Sequence, residues 1–313
     1  MPGKDEFARL VAEAATVLES EPESQRPRDS AGLPGGIVDL PHHPVALVPD
    51  LHARPAFLAA VLRWRAPGFT RSLAELLESG EASLCCLGDA FHAETGEAPR
   101  RWAAALRERR SGWALREAMD EEMGYALSTV SLILKAKVAF PRSFHYIKGN
   151  HDNLSNEEGG GDHPFYKFAD EGAMVASWFA ASYGEALLSS YRGLEKSFPL
   201  LVRGERFLAS HGEPAFALSR EDVLEYRRRP SVVEALIWTA NDEARPDAVA
   251  RSMDALIAAR DALWFAGHRP VKGKYALRSG GLFVQFHEPA RWPVAFLVPG
   301  AAPDPDRDIH FLD

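Results

Sequence analysis

Only two of the 313 residues are cysteine, and they are adjacent, Cys85 and Cys86 inside the apolar run SLCCL. A disulfide between sequence neighbours is strained, and a zinc site would lack its other sulfur ligands, so both read as buried thiols of a reducing compartment. Long apolar runs are missing too. No window approaches the ~18–20 apolar residues that a membrane helix needs, and the opening MPGKDEFARL is charged instead of signal-like, so the expectation is a cytoplasmic protein with no membrane partner. Excess positive charge is also lacking: 36 Lys and Arg face 44 Asp and Glu, a formal net charge of -8. That balance argues against polymeric nucleic acid as the main partner, because phosphate-backbone binding needs clustered cations. No internal repeat of fixed period is present.

What the chain does have is 46% hydrophobic residues, ample for a buried core in one large domain or two small ones. Residues 5–20 carry apolar positions at helical spacing, and the following PESQRPRDSAGLPGG has the composition of a flexible connector. The folded domain is therefore expected over 37–313, with 1–36 as N-terminal helix and linker. From Ile37 onward, short apolar runs alternate with helical segments, the pattern of an α/β fold. PVALV, ASLCCL, SFHYI, RFLAS, ALWFA, LFVQF and PVAFLV are the strand candidates. A helical insert, about 96–138, reads as two helices interrupted at the Gly after Ser111, with a solvated charged face; further helices are expected over about 172–194, 220–239 and 248–262.

The informative residues follow the apolar runs. PVALV leads to PDLHARP, SLCCL to GDAFHAE, SFHYI to KGNHDN, RFLAS to HGEP and ALWFA to GHRP. In α/β sheets the carboxyl ends of strands form the ligand-binding rim, so these segments are expected to meet in space. Asp50 and His52 are two apart and can share one ion; Asp89 can bridge two ions; Asn150, His211 and His268 can complete a second shell of one amide oxygen and two imidazoles. A sulfur-free mixed N/O set suits Mn, Fe or Zn, as two divalent or trivalent ions, better than Mg or Ca. Singly, the aspartates could cap helices and the histidines could be satisfied core imidazoles; six ligand-type residues at five strand ends outweigh that reading.

The ordered series D-x-H, G-D, G-N-H-D, H-G, G-H resembles the calcineurin-like metallophosphoesterase superfamily over Asp50 to His268. SHGEP and IWTAND, together with Pro270, make it most similar to the phosphoprotein (Ser/Thr) phosphatase branch. The resemblance implies a four-layer α/β/β/α sandwich with extra helices, Asp50, His52 and Asp89 on a first metal, and Asp89, Asn150, His211 and His268 on a second. It also implies that His151 is the catalytic histidine and that a metal-bridging hydroxide attacks a phosphate ester. Asp152 reads as a turn residue, not a ligand.

The chain departs from that branch within GDAFHAE, which has His92 in place of an aspartate that orients the catalytic histidine and Ala93 in place of a phosphate-binding arginine. His92 could accept a hydrogen bond from His151. Arg54, Arg245, Arg251 or Arg269 could replace the lost clamp, with Arg245 favoured for following IWTAND. His42, His43, His145 and His163 read as loop or sheet residues, whereas His287 also follows an apolar run. The expected activity is a dinuclear phosphomonoesterase acting on a phosphorylated small molecule, nucleotide or phosphoprotein. The alternatives are a phosphodiesterase or dinucleoside polyphosphate hydrolase and, outside enzymes, a phosphatase-like binding scaffold.

Overall fold

The computed structural model describes residues 1–113 and 115–312. Position 114 of the expected insert and the expected domain end at 313 lie outside the described residues. The strands, in chain order, are β1 (Ile37–Asp39), β2 (Val45–Val48), β3 (Ser83–Cys86), β4 (Phe144–Tyr146), β5 (Leu201–Arg203), β6 (Phe207–Ser210), β7 (Leu263–Ala266), β8 (Ala276–Arg278), β9 (Phe283–Gln285), β10 (Pro293–Leu297) and β11 (Ile309–Phe311). They form a five-stranded sheet, β11-β10-β2-β3-β4, and a six-stranded sheet, β1-β5-β6-β7-β9-β8. All seven expected strands are present. The four others have three residues each.

Alternation within the strands builds the layers. Val45 and Leu47 of β2 face the core between the sheets, and Ala46 and Val48 face the helices outside. Cys85 faces the inter-sheet core and Cys86 the helical side, so the adjacent thiols diverge. Both are buried and free, and burial pushes both thiols up. The outer face of the second sheet is covered by Pro230–Ile237 and Ala248–Leu256. Helices therefore flank a pair of sheets, the α/β/β/α arrangement.

Register positions the site. β2, β3 and β4 are parallel, with Val48 opposite Cys86 and Cys86 opposite Tyr146; β6, β7 and β9 are parallel, with Ser210 opposite Ala266 and Ala266 opposite Gln285. Each set of parallel strands thus ends level, and the segments that follow emerge side by side.

The N-terminal helix Lys4–Glu19 is docked, with Phe7 buried among Phe179, Tyr183 and Tyr191. The connector is also held in place, contrary to its composition. Arg26 is fully buried, pairing with Glu21 at 2.9 Å and donating to the Gly35 and Ser197 carbonyls, while Lys137 pairs with Glu21 at 2.5 Å. A breaker-rich composition predicts lack of regular structure, and burial of a charged network supplies the order instead.

The insert forms two helices, Ala98–Arg110 and Glu117–Ala139, packed on the flank of the first sheet. Its charged face is not wholly solvated. Glu122 is fully buried, accepts from the Arg101 guanidinium at 2.7 and 2.8 Å, and accepts the Ala93 amide at 2.8 Å. Trp102 donates its indole N–H to the Ala93 carbonyl at 3.0 Å. The insert braces the GDAFHAE loop from behind.

Candidate active site

The six expected ligand residues meet at one rim. His52 Nε2 lies 3.6 Å from Asp50 Oδ2 and 3.5 Å from Asp89 Oδ2. Its other nitrogen, Nδ1, is 3.0 Å from the His92 carbonyl, a hydrogen bond that leaves the Nε2 lone pair for the cluster. Asp50 is fully buried, yet its Oδ2 has no hydrogen-bond partner among the described residues. A bare carboxylate oxygen in the interior is costly unless a cation meets it.

A second group adjoins the first. His211 Nε2 lies 2.9 Å from Asn150 Oδ1, 3.1 Å from His268 Nδ1 and 3.6 Å from Asp89 Oδ2. The Leu87 carbonyl, 2.8 Å from His211 Nδ1, fixes the tautomer as at His52. Asp89 Oδ2 therefore lies between two clusters of nitrogen and oxygen donors.

The glycines and the fourth residue of GNHD hold this arrangement. A Cβ on Gly149 would stand 2.2 Å from Asp89 Oδ1, and one on Gly267 would stand 1.9 Å from Asp50 Oδ1. Only glycine admits both carboxylates so close to backbone. Asp152 accepts from the amides of Gly149 at 2.8 Å, Asp89 at 3.1 Å and Ala90 at 3.1 Å, tying two strand-end turns together. His52, Asp89, His92 and His268 all adopt positive φ, between 42° and 71°. Such strain in non-glycine residues persists where surrounding structure imposes it, and it concentrates at functional sites.

His151 sits over the first group, its ring centroid 5.2 Å from that of His52, and its amide donates to Asp89 Oδ1 at 2.9 Å. The expected hydrogen bond to His92 is not formed. The two rings lie tilted at 34° with centroids 4.7 Å apart, and neither nitrogen of His92 has a hydrogen-bond partner among the described residues. His92 is held against Trp102, ring centroids 5.3 Å apart, with its Nε2 3.5 Å from Glu171 Oε1. Glu171, at the start of the helix Glu171–Tyr183, is a buried carboxylate that the sequence reading missed. It follows no apolar run and belongs to no motif.

The expectations for Arg54 and Arg245 are corrected. Arg54 donates to the carbonyls of Leu51, Asp50, Pro289 and Arg291, at 3.0, 2.6, 2.8 and 3.1 Å. Its guanidinium braces the Asp50 turn and is not available as a phosphate clamp. Arg245 stacks 6.0 Å from the Phe216 ring centroid and does not reach the cleft. Arg269 does line it. The cleft, about 310 Å³, is bounded by His52, Asp89, Asn150, His151 and His268 together with Glu94, Phe165, Tyr166, Lys167, Trp238, Arg269 and Pro270. No described residue of the helical insert lines it.

Charge in the metal-free site is tightly balanced. Burial raises the carboxyl of Asp89 to about 7 against the pull of His211 and His52. Burial opposes charge on His52, but Glu94, Asp50 and Asp89 outweigh it and lift the imidazole to about 9. Burial, helped by His92 and His52, holds His151 well below the usual histidine range. A metal must displace the protons of Asp89 and His52, and ligation needs the deprotonated forms. Apparent affinity is therefore expected to rise with pH up to about 9 and most steeply below about 7. Metal titration calorimetry in buffers of different ionisation enthalpy should show more protons released at about pH 6 than at about pH 8. Equal release at the two would contradict the assignment.

The fold and the donor cluster define a two-sheet α/β scaffold with its site at the strand ends. Over 99% of this chain and 89% of the other, the structure is similar to a protein serine/threonine phosphatase from Saccharomyces cerevisiae with similarity to human phosphatase PP5, with a TM-score of 0.62 and 15% identity. A cold-active protein-tyrosine phosphatase of a psychrophilic Shewanella species matches with a TM-score of 0.47 and 9% identity, over 89% of this chain and 82% of that one. No curated protein matches the sequence. The family model for calcineurin-like phosphoesterases matches residues 43–289. The chain belongs to that family and is a metal-dependent phosphoric ester hydrolase. No helix among the described residues is long and apolar enough to cross a membrane.

Proposed function

We propose that this hydrolase is a dinuclear phosphomonoesterase whose cleft takes a phosphorylated small molecule, nucleotide or phosphoprotein side chain. The observation that carries the reading is the convergence of six nitrogen and oxygen donors from five strand ends, with Asp89 Oδ2 common to both groups. The donor set, the partnerless Asp50 Oδ2 and the glycines that leave room beside both aspartates fit a pair of cations. Asp50, His52 and Asp89 would hold one ion, and Asp89, Asn150, His211 and His268 the other, with Mn, Fe or Zn suited to the mixed N/O set. Bound metal would supply a water of lowered pKa and neutralise phosphoryl charge.

The chain's own residues do the rest. Arg269, beside His268 on the cleft wall and one of the four arginines expected to replace the lost clamp, would donate to phosphoryl oxygens. The anionic ester favours the imidazolium of His151, which can then pass its proton to the leaving oxygen. His92, itself 3.5 Å from Glu171, backs the His151 ring by packing instead of by a direct hydrogen bond.

A second reading, cleavage of a phosphodiester or phosphoanhydride, draws on the aromatic wall. Tyr166 is 77% exposed at the cleft and Trp238 stands with it, surfaces on which a base could stack. Turnover of an aryl phosphomonoester, a matched diester and a dinucleoside polyphosphate separates the readings. The monoester should be preferred, with activity lost on chelation and restored by Mn. Two bound ions without monoester turnover would remove the first reading.

A further inference from the structure

The cluster at the first ion position contains two side chains to which none of the preceding argument gives a ligand role. Glu94 is the last residue of GDAFHAE, and His287 follows β9 as the other candidate ligands follow their strands. His287 is fully buried and Glu94 is 5% exposed at its side chain. His287 Nε2 lies 3.7 Å from Asp50 Oδ2 and 2.7 Å from Glu94 Oε1. Glu94 Oε1 in turn lies 3.6 Å from His52 Nε2.

Those spacings match the ones among Asp50, His52 and Asp89. Atoms bound to one cation at ~2.0–2.2 Å lie within ~4.4 Å of each other, and each contact named here meets that limit. Asp50, His52 and His287 form one group whose ligand atoms all lie within 4.8 Å. We propose that Glu94 and His287 are ligands of the ion held by Asp50, His52 and Asp89, so that this ion has five protein ligands where the other has four. The proposal rests on the dinuclear reading above and extends it.

A simple Glu94–His287 hydrogen bond explains less. It accounts for the 2.7 Å contact, but not for the approach of the same two atoms to His52 and to the partnerless Asp50 Oδ2. The outer oxygen of Glu94 is already neutralised, since Lys167 Nζ lies 2.6 Å from Oε2, which leaves Oε1 for the cluster. His287, after the strand that pairs in parallel with β7, brings an imidazole to the same cluster. Three carboxylates and two imidazoles nearly fill an octahedral shell. The ion held by Asp89, Asn150, His211 and His268 is then the one with open positions for a phosphoryl oxygen.

The test uses the full chain, stripped by chelator and reloaded with cobalt(II), whose paramagnetism shifts the exchangeable N–H protons of ligated imidazoles far outside the ordinary proton NMR range. Four such signals are expected in the unaltered protein, from His52, His211, His268 and His287, and three in His287→Gln. Calorimetric titration of Glu94→Gln should show one ion weakened by at least about 10-fold and the other unchanged. Three signals in the unaltered protein with both affinities intact in Glu94→Gln would overturn the proposal while leaving the dinuclear site standing. Failure of the unaltered protein to retain two ions would overturn both. Should His287→Gln not fold, the signal count of the unaltered protein and the Glu94→Gln titration still decide.

Discussion

Replacing Asp89 with asparagine is expected to abolish hydrolysis and to reduce bound metal from two ions per chain to one or none. Asp89 Oδ2 lies toward both donor groups, 3.5 Å from His52 Nε2 and 3.6 Å from His211 Nε2. An amide has nearly the same shape but cannot offset the charge of two cations. Metal stabilises a phosphoryl transition state by several kcal/mol, so at 1.36 kcal/mol per decade the loss should reach about 10³-fold or more in kcat/KM. Elemental analysis of the purified variant, with circular dichroism to verify its fold, checks both halves. A variant that keeps two ions and ordinary turnover would show that Asp89 bridges nothing.

His151→Ala should separate metal binding from chemistry. The ring touches the cleft but is not among the donors of either group, and its backbone amide, which the substitution preserves, makes the bond to Asp89 Oδ1. Two ions should remain. Turnover should fall by about 10²–10⁴-fold, the range of a general acid, and the fall should be larger for leaving groups of high pKa than for an activated aryl phosphate. An equal fall for both would assign His151 to binding instead of proton delivery. The burial that disfavours charge on this imidazole makes the contrast informative, because an anionic ligand would add to the pull of Glu94 toward its protonation.

The convergence of these donors was legible because a strand end is a place that sequence can mark. An apolar run gives the strand, and a polar donor after it gives the rim; Asp50, Asp89, Asn150, His211, His268 and His287 all follow strands in this way, with a glycine directly before Asp89, Asn150 and His268. Glu171 was not legible. It reaches His92 from the start of a helix that follows a loop, and nothing local separates it from an ordinary first-turn carboxylate. The arginines misled for a similar reason: nearness in sequence to a motif says nothing of whether a guanidinium is already spent, and Arg54 spends its own on four carbonyls. Among the fold elements, β1, β5, β8 and β11 were not expected, and the buried Arg26–Glu21 pair sits in a stretch whose composition suggests a loose tether.

The central claim is that two ions in one cleft act together on a phosphate monoester. Adding Mn stepwise to chelator-stripped protein, while following bound metal and aryl phosphate turnover on the same sample, tests it most directly. The account predicts little turnover up to one equivalent, a rise between one and two, and a plateau at two. Full turnover with a single bound ion, or with none, would contradict it.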